Sequence, residues 1–191
     1  MLSAHSKNPN TSSFGTGGGG DTFQFRVQLK FFVTLLKNDR FPCLEGPYKE
    51  ISWIKTQARP TFMTDDVVVC VLDLSGKEHK LLGQIKHKLT FTKSDEEYQK
   101  TLRQAWDDFT GGNFDPKLDA IAIITGPIPT QTAIDTIRPL FEAARASISL
   151  EELYTKAKES KARFEKFEVI KSIIQEYAKE KGIANVSDET L

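Results

Sequence analysis

The sequence predicts an α/β domain, a small mixed sheet with helices on both sides. Three observations point there. A helical stripe of Phe23, Val27, Phe31 and Leu35 comes before any strand signal. Two β-branched runs, Asp66 to Leu74 and Leu81 to Phe91, flank the polar turn Ser75-Gly76-Lys77-Glu78-His79. Val67 through Leu72 is apolar on both faces, as in a strand covered on both sides.

In chain order, residues 1–20 are rich in Ser, Asn, Thr and Gly and end in Gly17-Gly18-Gly19-Gly20, which predicts a flexible lead-in. This tetraglycine lacks the Lys-Ser/Thr of a phosphate-binding loop, so it reads as a linker. The first helix follows with Asp21 or Thr22 as N-cap, its stripe widened by Phe32 and Leu36, and Pro42 lies beyond its end. Ile51 to Gln57 is a weakly alternating strand ahead of the two central ones. Ser94 with Glu97 three residues on has the form of a capping box and opens a second helix along Tyr98, Leu102, Ala105, Trp106 and Phe109. Gly111-Gly112 stops that helix. Asp119 to Thr125 is a further short buried strand, and Gly126-Pro127-Ile128-Pro129 breaks the chain. A helix over about residues 130–146 carries Pro139, expected to kink or divide it. Ser149 to Lys181 is charged, with apolar residues at helical spacing, and predicts two helices or one broken one. The order divides the chain into a lead-in (1–20), a domain (21–148) and a helical connector (149–191). Asn185 to Glu189 looks like the cap of a helix to come, so more chain is expected beyond.

Composition narrows the function classes. The 191 residues carry 26 basic and 26 acidic side chains, so no global field advertises nucleic acid or membrane. Such a balance disfavours a stand-alone high-affinity DNA binder, but not an enzyme that meets DNA briefly. Cys43 and Cys70 lie far apart, and His5, His79 and His87 show no ligand spacing with them, which argues against zinc. No apolar run is long enough for a membrane span, and the N-terminus lacks a signal-peptide core. A reduced, cytoplasmic setting is the expectation.

The chemistry concentrates on the central pair of strands. Asp65-Asp66 stands at the mouth of one, and Gln84 and Lys86 project from one face of the other with Ile85 turned away. If the strands pair, a carboxylate, an amide oxygen and an ammonium converge. Phosphodiester hydrolysis asks for that set: oxygen ligands for Mg²⁺ or Mn²⁺ from Asp66, Gln84 and the Ile85 backbone carbonyl, and a cation, Lys86, for developing negative charge. Asp65 competes with Asp66, because strand alternation admits only one of them.

Asp66, Gln84-x-Lys86 and the order helix–strand–strand–strand–helix–strand resemble the PD-(D/E)xK restriction-endonuclease-like superfamily, including its Mrr-like branch with Gln at the second acidic position. Phe23-Gln24-Phe25-Arg26-Val27-Gln28, Asp65-Asp66-Val67-Val68, Leu82 to His87, Ile123 to Pro127 and Ala144 to Ser147 are similar to a narrower group. These are the N-terminal endonuclease domains of bacterial antiviral STAND NTPases and their relatives in cyclic-oligonucleotide defence. The resemblance implies a restriction-endonuclease-like αβββαβ core with a helical extension and a Mg²⁺-dependent double-stranded DNA endonuclease. It implies Asp66, Gln84 and Lys86 as catalytic residues, and Gln24 where relatives carry an extra metal-binding glutamate. It further implies the rest of a parent NTPase chain as partner, and oligomerisation on activation.

Plainer readings stand beside each of these. Asp65-Asp66 can simply solvate a strand start, and Gln24 can be an ordinary helix-surface residue. His87 and Lys88 either touch phosphate or, with Lys77, Lys80 and Lys93, form a solvated strand edge. Trp53 and Trp106 read as core. The rival functions are a catalytically silent interaction or oligomerisation module, and a nuclease for RNA or single strands.

Overall fold

A computed structural model of the chain describes residues 18–37, 48–126 and 131–183, with side chains for 19–37, 50–126 and 135–183. The expectations for residues 1–17, which include His5, and for Pro42, Cys43, the prolines at 127 and 129 and Asn185 to Glu189 lie outside the described residues.

The strands Tyr48–Lys55 (β1), Val67–Asp73 (β2), Glu78–Lys86 (β3) and Ala120–Thr125 (β4) form one mixed sheet in the order β1-β2-β3-β4. The first three make an antiparallel meander and β4 runs parallel to β3. A parallel return needs a crossover, and the helix Glu96–Thr110 (α2) provides it. The remaining helices are Gly18–Lys37 (α1), Gln131–Ala146 (α3), Leu150–Lys158 (α4) and Lys161–Glu180 (α5).

Both sheet faces are covered, as the two-sided apolar character of β2 requires. Val67, Val69 and Val71 pack with Leu81 and Ile85 beneath Phe23, Val27, Phe31 and Leu35 of α1. On the other face, Val68 and Leu82 meet Ala58, Phe62 and Trp53. Further along that face Ile123 joins Leu89, Phe91, Tyr98, Leu102, Ile137 and Ile173, which ties α2, α3 and α5 into one cluster. Leu140, Ala157 and Phe167 join α3, α4 and α5. The helices that follow residue 149 therefore pack on the body. No described helix is long and apolar enough to cross a membrane.

Several boundaries differ from those the sequence predicts. Helix α1 begins at Gly18, ahead of the expected cap at Asp21 or Thr22, and Gly19 is buried. Tertiary packing of the inward face outweighs the intrinsic cost of glycine there. The cap of α2 is Asp95, not Ser94: its Oδ1 accepts from the Tyr98 amide at 3.1 Å, while its Oδ2 accepts from Thr90 N–H at 2.6 Å. One carboxylate thus holds both the helix start and the preceding loop. Strand β3 ends at Lys86 rather than Phe91, because Leu89 and Phe91 turn into the α2/α3/α5 cluster. Pro139 does not divide α3, which runs unbroken from Gln131 to Ala146. The charged tail forms two helices, the second capped by Ser160.

Candidate active site

Strand register brings the central residues together. Val67 pairs with Gly83, so Asp66, one residue before β2, stands across from Gln84. Gln84 Nε2 donates to Asp66 Oδ2 at 2.5 Å, and the Ile85 backbone N–H donates to the same oxygen at 2.7 Å. Gly83 permits the close strand approach, since a Cβ there would lie 2.8 Å from Val67 Cγ1.

Helix α1 reaches the same carboxylate. Gln24 Nε2 donates to Asp66 Oδ1 at 3.2 Å, and Gln28 Nε2 donates to the Asp66 carbonyl at 2.7 Å. Residues 24 and 28 lie one helical turn apart, so one edge of α1 grips both the side chain and the backbone of Asp66.

Asp65 points elsewhere. It is buried and pairs with Arg59 Nε at 3.2 Å, while Asp66 alone meets Gln84. The loop before both is held from α2. The buried Asp108 carboxylate accepts from Met63 N–H at 2.7 Å and Thr64 N–H at 2.6 Å.

Lys86 shares the Gln84 face and acts on Asp66 through its charge. Its ammonium donates to Glu97 Oε2 in the first turn of α2 at 2.8 Å. Glu97 is the site residue that sequence reading missed. The Ser94-x-x-Glu97 pattern assigned it to a capping box, but with Asp95 as cap its carboxylate is free to face Lys86. The assignment of Ser94 as cap hid this signal.

Burial is the main influence on the Asp66 carboxyl and raises its pKa, opposed by the Ile85 N–H bond and the Lys86 charge. The Lys86 hydrogen bond lowers the pKa of Glu97. Gln84 is 3 % exposed, and its Oε1 has no hydrogen-bond partner among the described residues. Leaving such an acceptor unpaired is costly and calls for an explanation.

The other expected residues stay at the margin. His87 makes an edge contact with Phe23 at 5.5 Å between ring centroids, and Lys88 is exposed. His79 lies at the start of β3, where its ring bonds Asp73 Oδ2 at 3.1 Å and the Leu118 carbonyl at 3.0 Å. Lys80 pairs with Asp119 at 2.9 Å. Cys70 is buried and reduced, and burial pushes its thiol up to about 11.

A hard divalent cation takes oxygen ligands; Asp66 offers a carboxylate, whereas Gln84 turns its amide nitrogen toward that carboxylate and its unpaired oxygen away, so the amide must turn over to share an ion with Asp66. The site holds one carboxylate where two are common, and no group of three His, Cys, Asp or Glu side chains forms a metal cluster among the described residues. Oxygen donors of this kind would take a magnesium-type ion in preference to zinc. No protein-family model, curated protein or solved structure matches the chain.

Proposed function

We propose that the chain is a restriction-endonuclease-like domain of the PD-(D/E)xK kind that hydrolyses double-stranded DNA with Mg²⁺ or Mn²⁺. The observation that carries this reading is the meeting of Asp66 and Gln84 across the β2–β3 register, with Lys86 on the same face. The element order αβββαβ and the reach of α1 to the same carboxylate support it.

The bound ion would neutralise charge at the phosphorus and acidify the attacking water. Asp66, the Ile85 carbonyl and, with its amide turned over, Gln84 Oε1 would hold it. Gln24 keeps the Asp66 carboxylate in place, and Gln28 fixes the backbone that bears it. Lys86 exchanges Glu97 for a phosphate oxygen as DNA arrives, and its charge stabilises the pentavalent transition state. An exposed ion pair contributes little, so that exchange is cheap. A groove lined by Arg59, Lys100 and Arg103 together with Glu96 and Asp107 lies beside Asp65, and its cations could meet a phosphate backbone only as Arg59 and Arg103 exchange Asp65 and Glu180 for it.

The second reading is a silent descendant of the fold, favoured by amides at Gln24 and Gln84 where relatives of that kind carry carboxylates. Supercoiled plasmid, linear duplex, single-stranded DNA and RNA, each with Mg²⁺, Mn²⁺ or EDTA, separate the possibilities. Metal-dependent plasmid nicking is expected, with Asp66→Asn and Lys86→Ala each lowering the rate by on the order of a hundredfold or more without a fall in melting temperature. Nicking that survives both substitutions overturns the assignment.

A further inference from the structure

Helix α1 has two apolar faces, and only one of them is used. Phe23, Val27, Phe31 and Leu35 pack on the sheet. On the opposite side Phe25 is 65 % exposed, Leu29 49 %, Phe32 38 %, Val33 39 % and Leu36 84 %. Nothing among the described residues covers them. A contiguous apolar patch exposed on one element marks an association surface.

The spacing of the patch suggests its occupant. Phe25, Leu29, Phe32 and Leu36 recur at alternating intervals of four and three, the repeat by which two helices interlock along a seam. The inward stripe, by contrast, recurs only every four, as suits a helix lying on a sheet.

Charge on the flanks then selects the pairing. Exposed Arg26, Lys30 and Lys37 lie along one side of the seam and exposed Asp21 along the other. Antiparallel pairing of two such helices sets basic flank against basic flank. Parallel pairing opposes the unlike flanks and brings Asp21 beside the second copy's Arg26, five residues further along, twice by symmetry. We propose that the outward face of α1 is the seam of a parallel two-helix dimer between two copies of this chain. A seam of one helix is smaller than the roughly 800 Å² per partner of a standard interface, so the dimer is reversible and depends on concentration. The inner edge of the same helix holds Asp66 through Gln24 and Gln28, so pairing would stiffen the element that grips the carboxylate. The proposal does not depend on the chemistry of that site.

The test is sedimentation velocity of the whole chain from micromolar to sub-millimolar concentration, with thermal melts alongside. A reversible monomer–dimer equilibrium is expected. Leu29→Glu and Phe25→Glu, both at exposed positions, should abolish the dimer and leave the melt unchanged. Asp21→Arg or Arg26→Asp alone should weaken it several-fold, and the two together should restore it. A chain monomeric throughout overturns the proposal, as does a dimer that survives Leu29→Glu. Weakening without rescue by the double reversal refutes the parallel arrangement. A monomer whose Leu29→Glu variant melts lower shows that the patch is covered by the chain itself. A monomer that binds anionic vesicles and loses this with Leu29→Glu shows a lipid surface instead. Both results defeat the dimer.

Discussion

The Asp66 carboxylate accepts hydrogen bonds from Gln24, Gln84 and Ile85, yet its surroundings disfavour its charge. Its carboxyl is raised by burial, so the folded state holds its proton to higher pH than the unfolded chain does. Stability from this group is therefore complete below the ordinary carboxylate pKa and is lost as pH rises through the raised folded value. At neutral pH the ionised form is a liability. Asp66→Asn removes it, and the Gln24 amide can reorient to bond the new side chain. The expected outcome is loss of metal-dependent nicking with a melting temperature about 1–3 °C higher at pH 7, a small rise because the half-exposed site is screened. The gain should shrink as pH falls and vanish below the ordinary carboxylate pKa, and a marked drop at pH 7 would show that Asp66 is structural. Glu97 allows a second test at this scale. Its ion pair with Lys86 is 55 % exposed on the glutamate side, so Glu97→Ala should leave the melt nearly unchanged. If Glu97 positions Lys86, that variant lowers kcat roughly tenfold, with the KM for DNA little changed, but has no further effect once Lys86 is Ala. Additive losses in the double variant would refute the positioning role.

At the scale of elements, the central hairpin was readable because strand alternation and the Ser-Gly turn leave few registers in which apolar faces stay buried. Asp66, Gln84 and Lys86 followed from that register, and the choice between Asp65 and Asp66 did not. It rests on Arg59, a residue in the preceding loop with no sequence pattern of its own. Glu97 was hidden for a similar reason, since whether Ser94 or Asp95 caps α2 turns on the contact of Asp95 with Thr90. The start of α1 at Gly18 was unreadable as well, because local propensity argues against glycine and only the sheet beneath the helix overrides it. The end of β4 supplies a prediction. Gly126 N–H donates to the Lys86 carbonyl at 3.2 Å, and a Cβ on Gly126 would lie 2.5 Å from the His87 carbonyl oxygen. That neighbour is backbone and cannot rotate away. Gly126→Ala should cost about 1–3 kcal/mol, a melting-temperature loss of several degrees. It should also lower nicking by displacing the strand end that carries Lys86. An unchanged melt would mean that β4 separates from β3 without cost.

For the whole molecule, the open question is whether α4 and α5 are an appendage or part of the fold. Their charge and length suggest a connector when read alone, yet their apolar residues are shared with the body. Ile173, Val169 and Ile170 of α5 lie against Leu89, Phe91, Tyr98, Leu102 and Ile137. Polar contacts follow the same line: Arg103 pairs with Glu180 at 3.1 Å, and Tyr177 donates to Asp107 at 2.7 Å. The ion pairs are half exposed and contribute little, so the apolar contacts decide. Glu180→Ala should therefore be almost neutral. Ile173→Ala, at a buried position, should cost about 2–5 kcal/mol, a loss of roughly 5–15 °C. Deleting residues 161–191 uncovers that whole cluster next to α2, the helix that also presents Glu97 and, through Asp108, holds the loop before Asp66. The shortened chain should lose its cooperative melt, bind a hydrophobic dye and cleave nothing. If it melts as the full chain does, the helical tail is a tether and the site stands without it.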